Sequence, residues 1–287
     1  MTIWQTARYR VDLSGPRVMG IVNVTPDSFS DGGSHESTAA ALRQCSQLIE
    51  EGADILDIGG ESTRPGSAAV PLDVELARVL PVVREAVHLG VAISVDTSKR
   101  EVMRAVLDLG ADIINDIRAL QEPGAQEVIA THPSCGVCLM HMHREPGTMQ
   151  VMPMTGDVLP QVLRFLRESA QMLRDRGVDA ARIVIDPGIG FGKTVAQNFA
   201  LLARQRELLE LGYPLLAGWS RKSSLGKVTG IEAASQRMLP SVAAALLAVE
   251  RGARIVRVHD VRETVAALSV WRAMRGESTE QQRREQP

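Results

Sequence analysis

The feature that most constrains this chain is an alternation that runs its whole length. Short runs that are apolar at nearly every position are followed by longer stretches with apolar residues on one helical face. Eight such runs fall at residues 18–22, 55–58, 92–95, 113–114, 137–140, 183–185, 215–217 and 255–258. A strand that is apolar on both faces must be covered on both, which is the condition of a parallel strand in an α/β fold. Helical patterns fill the gaps, for example at 39–51, 99–109, 158–176, 198–211, 241–251 and 262–275. The joints between them repeat as well: Glu51-Gly52-Ala53-Asp54, Leu109-Gly110-Ala111-Asp112 and Arg251-Gly252-Ala253-Arg254 each separate a helix from a strand. Glycine there ends the helix in the left-handed conformation before the chain turns back. Eight βα units predict a (β/α)8 TIM barrel, whereas a doubly wound sheet more often has about five or six strands. The length of 287 residues suits one such domain, expected over 1–275. Residues 9–13 are expected to form a short hairpin across the barrel floor, and 276–287 a disordered polar tail.

Composition narrows the function classes. With 32 basic and 34 acidic residues the net charge is -2, which argues against a nucleic-acid or membrane surface, so any anion site must be local. No apolar leader opens the chain, and the longest apolar run, 242–249, is far short of a membrane span, which predicts a cytoplasmic protein. The three cysteines, Cys45, Cys135 and Cys138, are too few for a disulfide framework. A redox C-x-x-C would open a helix, but Cys135 and Cys138 lead into an apolar run, so both read as buried thiols.

In a barrel of this kind the chemistry lies at the C-terminal ends of the strands. The residues at those ends are mostly polar: Asn23; Glu61 to Arg64; Asp96; Asn115 and Asp116; His141; Asp186; Ser220, Arg221 and Lys222; and His259, with Arg257 just inside its strand. Any one of them could be a turn or cap residue. As a set they describe a site. Asp96, Asn115 and Asp186 suit the edges of a flat heterocycle, since a carboxylate accepts from an amino group and an adjacent ring N–H at once. Arg64, Lys222, Arg257 and His259 suit an anion, and Asn23 offers a neutral oxygen to Mg2+. A phosphorylated or diphosphorylated heterocycle is implied. The stretch from Pro187 to Thr194 resembles a P-loop but has proline where the first glycine is required. Its glycines are expected instead to bring the loop close to a bound ring, with Phe191 as a wall.

Asn23-Val24-Thr25-Pro26-Asp27-Ser28-Phe29-Ser30-Asp31-Gly32-Gly33 resembles the first signature of the dihydropteroate synthases. Asp57-Ile58-Gly59-Gly60-Glu61-Ser62-Thr63-Arg64-Pro65-Gly66, within 52–66, resembles the second, and shorter matches continue to about residue 274. The resemblance implies a transferase that joins a pterin diphosphate to 4-aminobenzoate. Asp96, Asn115, Asp186 and Lys222 would hold the pterin, with Met140, Gly218 and Phe191 shaping the pocket and Arg257 stacking on one face. Asn23 through Mg2+, Thr63, Arg64, Arg257 and His259 would handle the diphosphate; Phe29, Pro65 and Ser220 would contact 4-aminobenzoate. Of these, Asp96, Lys222, Arg257 and His259 are the expected catalytic group. Sulfonamide sensitivity and a homodimer are also implied. The chain departs from the pattern at His143 and Arg144, where the family often has Gln and Gly, and at Trp219 and Ser224, which replace common methionines; these positions bear on the pocket walls. A methyltetrahydrofolate methyltransferase-type pterin domain and a catalytically silent pterin-binding barrel are the alternatives.

Overall fold

The computed structural model describes residues 2–24, 34–63, 66–145, 147–149 and 151–276. Its main sheet has eight parallel strands: β3 Arg17–Asn23, β4 Ile55–Gly59, β5 Ala92–Asp96, β6 Ile113–Asp116, β7 Gly136–Met140, β8 Ile183–Asp186, β9 Leu216–Ala217 and β10 Ile255–Val258. They pair in the order β8-β7-β6-β5-β4-β3-β10-β9, and an isolated bridge between Ile185 and Leu215 joins the two ends. The result is a TIM barrel closed by a short seam. The helices are α1 Ser34–Glu50, α2 Leu72–Ala86, α3 Arg100–Asp108, α4 Ala125–Thr131, α5 Leu159–Asp175, α6 Val195–Ala203, α7 Ser223–Thr229, α8 Met238–Glu250 and α9 Val261–Met274. The single helix expected at 198–211 is broken: α6 ends at Ala203 and a 3-10 segment, Gln205–Leu211, follows. Gly52, Gly110 and Gly252, the glycines of the repeated joints, all have positive φ as the helix-stop reading requires. Among the described residues no helix is long and apolar enough to cross a membrane.

The floor differs from expectation. The hairpin pairs β1 Ile3–Gln5 with β2 Arg10–Asp12, so it begins at Ile3 rather than at Tyr9. Its Trp4 and Leu13 are fully buried against Met19, Ile55, Ala92, Ile113, Cys138, Val184, Leu216 and Ile255. Those residues form the lower interior of the barrel, and Trp4 donates its indole N–H to the carbonyl of Arg182 at 2.9 Å. The tryptophan therefore plugs the barrel with its one polar atom satisfied.

Strand alternation sorts the remaining positions. On β4, Leu56 and Ile58 pack in the layer shared with the helices and Ile55 belongs to the interior, so Asp57 and Gly59 also face inward. By the same rule Ser94 and Asp96, Asn115, Met140, Asp186 and Arg257 point into the barrel. The interior thus grades from hydrocarbon at the floor to charge at the mouth. Cys135 and Cys138 are free and buried, in the outer layer and the interior respectively, so the sheet separates them. Burial pushes both thiols up, as the buried-thiol reading anticipates.

Candidate active site

An ion network crosses the barrel below its mouth. Arg257 on β10 donates Nε–H to Asp57 Oδ2 at 2.6 Å and Nη2–H to Asp96 Oδ2 at 2.8 Å. Asn115 on β6 donates its amide to the same Asp57 oxygen at 3.1 Å. Burial pushes the Asp96 carboxyl up to about 7; Arg257 opposes the rise, and the nearby acids Asp57, Asp116 and Glu75 add to it. Burial also works against the charge on Arg257, but Asp57 and Asp96 more than offset it and hold the guanidinium firmly protonated. Sequence reasoning placed Arg257 against one face of the pterin and among the diphosphate groups, and missed Asp57. The available signal was an acid inside the otherwise apolar Ile55-Leu56-Asp57-Ile58 run.

On the opposite wall Asp186 ends β8 beside Met140 of β7. Its Oδ1 accepts the N–H of Gly188 at 2.7 Å, and burial raises its pKa. Gly218 follows β9, and a methyl group there would come within 3.8 Å of Asp186 Oδ2. The Lys222 ammonium lies 4.1 Å from the centre of the Phe191 ring, and burial lowers its pKa to about 8 against the pull of Asp186. Phe191, Met140, Ile117 and Met149 form a separate apolar cluster. Neither Ile117 nor Met149 was expected there; Ile117 sits just past Asn115, but Met149 lies in a loop without a periodic signal. Ser220 Oγ is 2.9 Å from His259 Nδ1 and accepts the His259 backbone N–H at 3.1 Å, joining the ends of β9 and β10. A cavity of about 710 Å³ opens on the β5 and β6 side, touching Thr63, Asp96 and Ile117. It does not reach Asp186, where Lys222 is folded over Phe191.

Several expectations need revision. Asp116 turns out of the barrel and accepts the N–H groups of Arg118 and Leu120 at 2.9 and 2.7 Å, the work of a turn residue. The glycines after β8 have a packing role that the sequence reading did not include. A Cβ on Gly188 would lie 1.8 Å from the His141 carbonyl, and one on Gly192 2.5 Å from that of His143, so the loop is pressed against the end of β7. Lys193, buried there, spans acceptors on His141, Gly188 and Phe191 at 2.9 to 3.4 Å. Trp219 is no pocket wall: it is buried in the outer layer against Phe199, ring centroids 5.3 Å apart. Arg144 has φ +62, a conformation that a glycine would adopt without cost. Phe29, Arg64 and Pro65 lie outside the described residues.

Asn23 ends β3 in register with Gly59, which puts no side chain beside it. Among the described residues no group of three or more His, Cys, Asp or Glu could hold a metal ion. A lone amide oxygen at an open mouth fits Mg2+ shared with substrate phosphates and does not fit a closed protein cage.

The sequence matches the model of the pterin binding enzymes over residues 19–259. It is 50% identical over 277 residues to the dihydropteroate synthase of Neisseria meningitidis serogroup B, covering 95% of this chain and 97% of that one. The chain belongs to the dihydropteroate synthase family. Solved structures of the family agree with the barrel described above. The Xanthomonas albilineans dihydropteroate synthase with 4-aminobenzoic acid superimposes with a TM-score of 0.88 at 52% identity, over 94% of this chain and 96% of that one. The Burkholderia cenocepacia dihydropteroate synthase complexed with 7,8-dihydropteroate does so at 0.87 and 51%, over 96% and 97%.

Proposed function

We propose that this chain joins 6-hydroxymethyl-7,8-dihydropterin diphosphate to 4-aminobenzoate, releasing diphosphate and 7,8-dihydropteroate, as a cytoplasmic step of folate biosynthesis. The observation that carries the reading is the barrel mouth, where the ring-edge acceptors Asp96, Asn115 and Asp186 stand beside the cations Lys222 and Arg257. Asp186 spends one oxygen on Gly188 and keeps the other for the amino and N–H edge of the pterin. Asp96 and Asn115 take the other side of the ring, Lys222 and Arg257 approach it as cations, and Met140, Phe191 and Gly218 shape the slot.

The bond from the methylene carbon to the diphosphate oxygen breaks first, and its electron pair leaves with the oxygen. The positive charge left behind spreads into the pterin. Asp57, Arg257 and ionised Asp96 together carry one net negative charge, which suits the stabilisation of that cation. Arg257 is consequently a weaker partner for the diphosphate than its charge alone implies, and His259, Thr63 and Arg64 carry more of that load. When bound, Mg2+ supplies the charge that makes diphosphate a good leaving group; the Asn23 oxygen would hold it. The aniline nitrogen, guided by Ser220, Phe29 and Pro65, then attacks the methylene carbon and loses a proton to solvent. Sulfonamides would occupy the same second pocket.

A methyltetrahydrofolate methyltransferase would have no use for the diphosphate residues, and a silent pterin binder would give no product. Exposed Leu239 and Leu247 on α8 and Val270 and Met274 on α9 leave an apolar face that suits a homodimer. The deciding experiment is turnover with pterin diphosphate, 4-aminobenzoate and Mg2+; dihydropteroate and diphosphate are expected in equal amounts, and their absence overturns the reading.

A further inference from the structure

We propose that Asp57, one inward position below Gly59 and the barrel mouth on β4, is the positioning residue of this site: it fixes Arg257 and Asn115 and through Arg257 acts on Asp96. The inference rests on the catalytic reading above. Its first support is geometric. One oxygen, Oδ2, accepts from Arg257 at 2.6 Å and from Asn115 at 3.1 Å, so a single carboxylate on β4 ties down side chains from β10 and β6. Both partners are groups that the reading places against the ring.

The second support is its cost. Asp57 is fully buried, its Oδ1 has no hydrogen-bond partner among the described residues, and neither has the Oγ of its register partner Ser94. An unsatisfied buried acceptor destabilises a fold, and well-packed apolar groups commonly serve better than a buried ion pair. Ile55, the preceding inward position on the same strand, is apolar. A barrel selected for stability alone would continue that pattern, so the acid is retained for what it holds.

The third support is what its removal releases. The Arg257 guanidinium is now divided between two acids. Without Asp57 it pairs with Asp96 alone, swings away from its present plane and frees the Asn115 amide. The charged groups acting on Asp96 are Arg257 from β10, Asp57 from β4, Asp116 from β6, Glu75 from α2 and Lys222 beyond β9. Deleting one acid from that set and giving Asp96 the whole cation both favour its ionised form.

The test is Asp57→Asn, which preserves shape, measured three ways. Affinity for a diphosphate-free pterin analogue is expected to fall about tenfold or more by calorimetry. The acid limb of kcat/KM, expected near pH 7 in the wild type from the raised Asp96 carboxyl, is expected to move down by about one pH unit. The thermal midpoint reports any general loss of structure. Unchanged affinity with an unmoved acid limb overturns the proposal, as does a loss of activity that follows unfolding alone. Should D57N fail to fold, D57N/R257Q removes both charges together and is compared with R257Q. Affinity and acid limb equal to those of R257Q support action through Arg257; a further tenfold loss overturns it. The wild-type protein is the control that separates the two claims: if it neither binds the analogue nor turns over, the catalytic reading itself has failed.

Discussion

At the scale of single residues, the informative groups are those whose second hydrogen-bonding position is still open. Asp186 uses Oδ1 on the Gly188 N–H, and Asp186→Asn would keep that bond while aiming an amide donor at a ring edge that also donates. Pterin affinity should drop by about 2 to 4 kcal/mol, roughly two to three decades, in calorimetry with a pterin analogue. A near wild-type affinity would remove Asp186 from the site. Asp96 makes a prediction in pH. Its carboxyl titrates near 7 in the free protein because burial disfavours the anion more than Arg257 favours it. The proposed chemistry needs the anion, so kcat/KM should fall as pH drops through about 7, since this ratio reports the free enzyme. A flat profile from pH 6 to 8 would mean that Asp96 acts in either charge state. The group that sequence reasoning overlooked, Asp57, differs from these in one respect: it interrupts an apolar run instead of ending it, so the rule that polar residues at strand ends mark the site passed over it.

At the scale of elements, the strands and their polar ends were legible because period and placement are local properties. All eight apolar runs recur as barrel strands, and Asp96, Asn115 and Asp186 face the interior simply because side chains alternate. The hairpin was only half legible: Ile3-Trp4-Gln5 is too short to show a pattern, and only the barrel that Trp4 fills reveals its purpose. The loop after β8 was read incompletely for a different reason. What its glycines avoid are the carbonyls of His141 and His143, contacts between segments far apart in sequence. Gly188→Ala, at φ +68 and with no room for a methyl group, should destabilise the protein by about 2 kcal/mol or more, from backbone strain plus overpacking. Chemical denaturation checks it, and an unchanged midpoint would show that the loop relaxes freely. For the loops after β3 and β4, composition is the guide: residues 25–33 and 62–71 are rich in Gly and Ser, and they carry Phe29 and Pro65 next to Asn23 and Thr63. We expect diphosphate with Mg2+ to assemble the second pocket, so that 4-aminobenzoate binds measurably only in their presence. Equal affinity with and without them, by titration calorimetry, would show a preformed pocket.

At the scale of the whole molecule, the exposed apolar side chains on α8 and α9 set the assembly prediction. Val270→Glu should convert a dimer to monomers in sedimentation velocity while leaving the barrel folded, because Val270 is 71% exposed. A wild-type protein that sediments as a monomer would remove the basis for that interface. The order in which the barrel is built matters too. β10, the last strand, pairs with β3, the first, and it is β10 that carries Arg257. Asp57 and Asp96 belong to strands made much earlier. A chain emerging from the ribosome therefore holds two acids bound for its interior until β10 is made, with no counter-charge to bury beside them, and β3 waits as long for its neighbour. An unpaired buried charge is costly enough that the upper interior cannot dehydrate in the meantime. Completion of this barrel is consequently deferred until its eighth βα unit is made, which brings the sealing strand and the neutralising cation in one piece.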